Sequence, residues 1–107
     1  MGLEKRNHPR KDIKLAVSYE NIDDFLTDYT SNVSIGGIFL ATEVQMQKSH
    51  KIQLRIELPG GEEIKAVGVV QWVSRDSDSP EGVGLYFEVI SKRDQRRIQR
   101  LLDDWNP

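Results

Sequence analysis

The segment Ile52-Gln53-Leu54-Arg55-Ile56-Glu57-Leu58 alternates apolar and polar residues without a break, and Pro59-Gly60-Gly61 follows it at once. A period of two puts every apolar side chain on one face of an extended strand, which a helix cannot do. The Pro-Gly-Gly step then demands a turn, so this strand belongs to a hairpin. The same pattern recurs along the chain. Ile13 to Tyr19 alternates with Ile13, Leu15, Val17 and Tyr19 on one side, Glu20 to Asp24 is turn-like, and Phe25 to Thr30 reads as the returning strand. Ile38-Phe39-Leu40-Ala41 is apolar throughout, as expected of a strand buried on both faces, and Thr42 to His50 is irregular and polar. Ile64 to Val73 is long and carries Gly68 in its middle, where a bulge or bend is expected. After a polar loop from Arg75 to Glu81, Val83, Leu85, Phe87 and Val89 make the last alternating strand. About six short strands with hairpin-like joints predict an all-β domain, a closed or nearly closed six-stranded antiparallel β-barrel.

The end of the chain reads differently. Ser91 with Asp94 three positions later is a helix start of the capping-box type, and Ile98, Leu101, Leu102 and Trp105 fall at i, i+3, i+4 and i+7. One C-terminal α-helix over residues 91–105 is therefore expected to close one end of the barrel, with part of its apolar stripe as an alternative contact for a partner or a second copy. Asp103 and Asp104 sit at the helix end where the dipole disfavours anions, so fraying is expected there. Residues 13–90 would form the barrel, and residues 1–12 a flexible N-terminal arm.

Composition narrows the function. A length of 107 residues suits one domain with one core. There is no cysteine, hence no disulfide framework and no thiolate zinc site, and a reducing compartment, the cytoplasm, is the expected location. No apolar run is long enough to span a bilayer, and residues 1–5 lack the apolar core of a signal peptide, so no membrane insertion is expected. A net charge of -2 argues against a nucleic-acid partner. Single-strand binding would also call for several exposed aromatics among basic strand residues, whereas the aromatics here fall mostly at core-facing positions. Trp72, on a strand, reads as core. Asp23 with Asp24, and Asp76 with Asp78, lack the downstream ligands of a calcium loop, and neither His8 nor His50 has a metal-site pattern beside it. No nucleophile with a base partner can be named, so an enzyme is not expected. The basic run Lys92, Arg93, Arg96, Arg97 and Arg100 reads as a solvated face.

Two short stretches carry chemistry. Arg6-Asn7-His8-Pro9-Arg10 places two arginines around a proline that holds the chain extended, and the guanidinium fork suits phosphate or the O6 and N7 edge of guanine. Asn32-Val33-Ser34-Ile35-Gly36-Gly37 sets an amide, a hydroxyl and two glycines between two strands. Alone, the first is a solvated tail and the second a hairpin turn.

Together, Arg6-x-x-x-Arg10 followed by Asn32-x-Ser34-x-x-Gly37 resembles the signature of PilZ domains, with Asn where many members carry Asp. Val70-Gln71-Trp72-Val73 and Gly82-Val83-Gly84-Leu85-Tyr86-Phe87 resemble the family's later strands, so the likeness runs from about Lys5 to about Trp105. The resemblance implies a β-barrel of PilZ type and a receptor for the bacterial second messenger cyclic di-GMP. It places Arg6 and Arg10 on phosphate and guanine, Asn32 and Ser34 on a guanine edge or phosphate, and Gly36 with Gly37 where the ligand comes close. Lys5, just before the first arginine, is a further candidate contact. The expected mechanism is ordering of the arm on ligand binding, read by a downstream protein partner whose identity, like the pathway in motility or biofilm control, is not written in the chain. A PilZ-fold interaction module that ignores the nucleotide is the alternative.

Overall fold

The strict alternation of residues 52–58 forms β4 (Lys51–Glu57), with Ile52, Leu54 and Ile56 buried and Gln53, Arg55 and Glu57 exposed. A computed structural model describes residues 10–21, 24–75 and 81–105. Lys5, Arg6, His8, Asp23, Asp76 and Asp78 therefore lie outside the described residues. The remaining elements are β1 (Ala16–Asn21), β2 (Asp24–Ser34), β3 (Gly37–Ala41), β5 (Glu63–Ser74), β6 (Gly82–Ile90) and α1 (Lys92–Asp104). All strand pairs are antiparallel, in the closed order β1-β2-β3-β6-β5-β4, with β4 returning to β1. Closure pairs every strand on both sides over at least part of its length. Val17, Val33, Ile38, Leu40, Leu54, Ile64, Val70, Val83 and Leu85 fill the interior, and Ile98 and Leu102 of α1 cover it.

Several local expectations hold. The turn after β4 uses Gly60 and Gly61 at φ of 97° and 96°, a region that side chains with a Cβ rarely adopt. Gly68 sits at a register shift between Val67 and Gly68, and an added Cβ would stand 2.8 Å from Leu54 Cδ1. Ser91 caps α1, its Oγ accepting from Asp94 N at 3.0 Å. The weak helix end is answered from outside the helix, because Lys11 Nζ donates to the Leu102 carbonyl at 2.7 Å.

Other expectations need correction. Ile13 and Leu15 are buried as their spacing predicts, yet β1 begins only at Ala16. Thr30 breaks the ladder there: its hydroxyl donates to Ile13 O at 2.6 Å and accepts from Leu15 N at 2.9 Å. Nor is the stretch 32–37 a loop. β2 runs to Ser34 and β3 starts at Gly37, leaving Ile35 and Gly36 as the turn. Val89 faces solvent at 59% exposure because the register shift at Val67 and Gly68 pairs these residues with Val89 and Phe87, and Ile90 packs on the core instead.

Trp72 is the largest departure. Ile64, Ala66 and Val70 point inward, so continued alternation would bury Trp72. A register shift between Val70 and Trp72 reverses the face, and the indole ends 49% exposed. Phe25, Tyr29 and Tyr86 are exposed too, so the aromatics are not mostly core-facing.

Candidate functional site

A second bulge does for the polar residues what the first does for Trp72. On β2, Thr30 points inward, and regular alternation would send Asn32 the same way. The register shift between Thr30 and Asn32 buries Val33 and turns Asn32 to the outer face. Asn32 then lies opposite Phe39, Phe39 opposite Gly84, and Gly84 opposite Trp72. One row thus crosses β2, β3, β6 and β5 on the outside of the barrel.

At one end of this row Arg10 Nη1 donates to Asn32 Oδ1 at 2.8 Å. The backbone of the next residue, Lys11, pairs with Val33 in both directions, at 3.0 and 2.9 Å, which holds Arg10 against β2. At the other end the Trp72 indole stacks on the Phe39 ring, centroids 5.1 Å apart and planes 21° from parallel. Gly84 makes this possible, because a Cβ there would lie 2.3 Å from the indole Nε1. Gly82 lies against both the Leu40 carbonyl oxygen and Phe39, a Cβ there falling 2.3 Å from the first and 2.8 Å from Cζ of the second. A glycine in a strand often marks such a close approach, and Gly82-x-Gly84 is the signal by which the aromatic pair could be located from sequence.

The neighbouring row holds Ser34, Gly37, Tyr86 and Val69. Ser34 is 1% exposed and its hydroxyl is used locally, accepting from Gly36 N and Gly37 N at 3.2 Å each and lying 3.3 Å from Gly37 O. It shapes the turn. Gly37 has a backbone reason to be glycine, since a Cβ would meet Leu85 O at 2.1 Å. Gly36 accepts from Phe87 N at 2.9 Å, and neither Gly36 nor Gly37 adopts a positive φ. Neither row contains an acidic residue, and Arg10 adds a cation to their edge. The result is a flat aromatic floor with a guanidinium and an amide at its rim, suited to a planar, anionic, base-bearing ligand. Among the sequence-derived candidates, Arg10, Asn32, Ser34, Gly36 and Gly37 come together here, whereas Arg6 and Lys5 lie outside the described residues.

Elsewhere the described residues hold no group of three or more His, Cys, Asp or Glu able to hold a metal ion, and His50 is exposed. Among them no helix is long and apolar enough to cross a membrane.

The sequence profile of the PilZ domain matches residues 4–104. A search of curated protein sequences finds no match. Among solved structures, the inhibitor of motility MotI/DgrA of Bacillus subtilis is similar, with TM-score 0.79, 24% identity, and coverage of 96% of this chain and 54% of that one. YcgR of Escherichia coli in complex with c-di-GMP gives TM-score 0.78 at 13% identity, covering 94% of this chain and 45% of that one. The PilZ domain of YcgR with c-di-GMP gives 0.73 at 15% identity, covering 94% and 90%. At these identities the likeness is one of fold, and the chain spans about half the length of the first two.

Proposed function

Because this chain belongs to the PilZ domain family, we propose that it is a receptor for cyclic di-GMP that signals through a partner protein. One observation carries the reading: two β-bulges turn Asn32 and Trp72 onto a single outer row, with Arg10 on the first and Phe39 under the second. Two solved structures similar to this chain are described as holding the same nucleotide, which supports it.

The ligand is a flat ring with two phosphates and two guanines. Arg10 and Arg6 would supply charge-assisted, bidentate bonds to phosphate and guanine, and Lys5 a further cation. Asn32 would bond a guanine edge, and the Trp72 indole would stack on a guanine face. Ser34, Gly36 and Gly37 would form the wall of the site, with Ser34 fixing the turn. Since Arg10 and Lys11 are already docked on β2, the clamp that ligand adds comes from residues before Arg10, through Arg6. The role is binding, with no chemical step.

Calorimetric titration with cyclic di-GMP, alongside GTP, tests this. Saturable binding selective over GTP is expected, with Arg6→Ala and Arg10→Ala each weakening it by about one to two decades, the equivalent of about 1.5 to 3 kcal/mol. Trp72→Leu should weaken it by about tenfold, a stacking contribution of about 1 kcal/mol or more. A flat trace at tens of micromolar protein would remove the receptor reading and leave a nucleotide-independent interaction module.

A further inference from the structure

Helix α1 buries Ile98 and Leu102 against the barrel and turns Lys92, Arg93, Arg96 and Arg100 to solvent. At 100° per residue these four cations fall on one stripe opposite the buried pair. The fifth cation of the helix, Arg97, is satisfied internally, 3.3 Å from Asp94 and 3.5 Å from Glu62. None of the other four has a hydrogen-bond or ion-pair partner among the described residues. That is unexpected in a chain with 17 acidic residues against 15 Lys and Arg.

The arrangement also works against the helix. Lys92, Arg96 and Arg100 follow one another at i, i+4 and i+8, where like charges repel. Lys92 and Arg93 occupy the first turn, at the positive end of the dipole, with Asp94 the one acid there, while the last turn holds Asp103 and Asp104 and no basic residue. A solvated face selected only for solubility would place its bases in the last turn. Charge that opposes local stability and forms no ion pair inside the fold is characteristic of a surface that meets something else.

We infer that the Lys92/Arg93/Arg96/Arg100 stripe is a docking surface for an acidic segment of a partner protein. Charge complementarity selects an anionic partner, and the surroundings select its kind. The stripe is about 12 Å long, at 1.5 Å per residue, and is bordered by Asp103, Asp104 and Glu62 on a protein of net charge -2. A nucleic-acid duplex or an anionic bilayer would bring those acids against its own charge, whereas a short acidic helix or strand would meet only the cations. A membrane-surface helix would also need its apolar face free, and that face is already committed to the barrel. The inference does not depend on nucleotide binding.

The test uses the full chain and a fluorescent, helix-forming synthetic peptide with glutamate at every fourth position, followed by anisotropy at low and physiological salt. Duplex DNA and phosphatidylserine-containing vesicles run in parallel. Saturable, salt-sensitive peptide binding is expected, weakened about tenfold or more when Lys92, Arg93, Arg96 and Arg100 are all changed to Gln. The unliganded variant should melt at the same or a higher temperature than the parent, because the charges removed oppose the helix. Should the quadruple variant not fold, Arg96→Gln and Arg100→Gln alone are each expected to weaken peptide binding about threefold. Absence of binding at low salt, equal binding by the variants, or tighter binding of the DNA or the vesicles than of the peptide would overturn the inference.

Discussion

Gly37 and Gly84 are both glycines of the outer face, yet their neighbours differ in kind, and so do the expected costs of adding a methyl group. At Gly37 the obstacle is backbone: Leu85 O at 2.1 Å and Tyr86 Cα at 2.9 Å, so β3 and β6 would have to part. Gly37→Ala should cost about 3 kcal/mol in urea unfolding. At Gly84 the obstacle is the Trp72 side chain, half-exposed and able to swing away. Gly84→Ala should cost only about 1 kcal/mol while changing tryptophan fluorescence and weakening nucleotide binding. Equal stability losses for the two would show that the indole does not lie over Gly84. Tyr19 makes a separate case, away from the site. Its hydroxyl donates to Asp28 Oδ2 at 2.5 Å and lies 3.1 Å from Thr42 Oγ1. Burial, then the bond to the Asp28 carboxylate and its charge, raise the phenol pKa from 10.0 to about 12, with Thr42 acting in the opposite sense. The folded protein therefore keeps this proton where an unfolded chain loses it. The stabilisation is whole below pH 10 and is lost as pH rises from 10 to about 12. Unfolding free energies from urea titrations over that interval should fall more steeply for the parent than for Tyr19→Phe, by at most about 3 kcal/mol in total. Parallel declines would remove Tyr19 from the account.

At the scale of elements, periodicity makes each strand legible, but its interruptions are not. The strand centred on Leu54, β4, has no bulge, and every one of its faces follows from alternation. β2 and β5 each contain a register shift, and it is beyond those shifts that Asn32 and Trp72 point outward. A bulge adds one residue and reverses every face after it, so a reading by period two goes wrong at the position where the site begins. Arg10 and Asn32 are legible through a motif, while the alternation rule assigns Trp72 to the core. The helix offers a test of coupling between elements. Lys11 pairs with β2 through its backbone and caps the Leu102 carbonyl through its side chain, so it joins the candidate site to the last turn of α1. Lys11→Ala should destabilise the protein by about 1 kcal/mol and speed hydrogen exchange of the amides near Trp105, leaving those near Ser91 unchanged. Uniform acceleration along α1 would mean that the lysine acts on global stability alone.

For the molecule as a whole, a ligand bound only by the folded barrel must raise its melting temperature by mass action. At a hundredfold excess over Kd the gain is about 2.7 kcal/mol, or about 10 °C for a domain of this size. Differential scanning should show such a shift with cyclic di-GMP and little shift for Arg10→Ala at the same concentration. A parent without a shift would contradict the receptor reading. By itself the sequence determined the all-β class, the number of strands, the capped C-terminal helix and the residues of the Arg-x-x-x-Arg and Asn-x-Ser-x-x-Gly elements. These follow from local periodicity, turn chemistry and capping, which neighbouring residues settle among themselves. Tertiary structure decided the strand order, with β6 inserted between β3 and β5, and the two bulges that turn Asn32 and Trp72 outward. It also decided the stacking of Trp72 on Phe39 across Gly84 and the tie between Lys11 and α1. Pairing partners far apart in the chain set these features, because a bulge that shifts register is fixed by both strands together and breaks the alternation by which either is read alone.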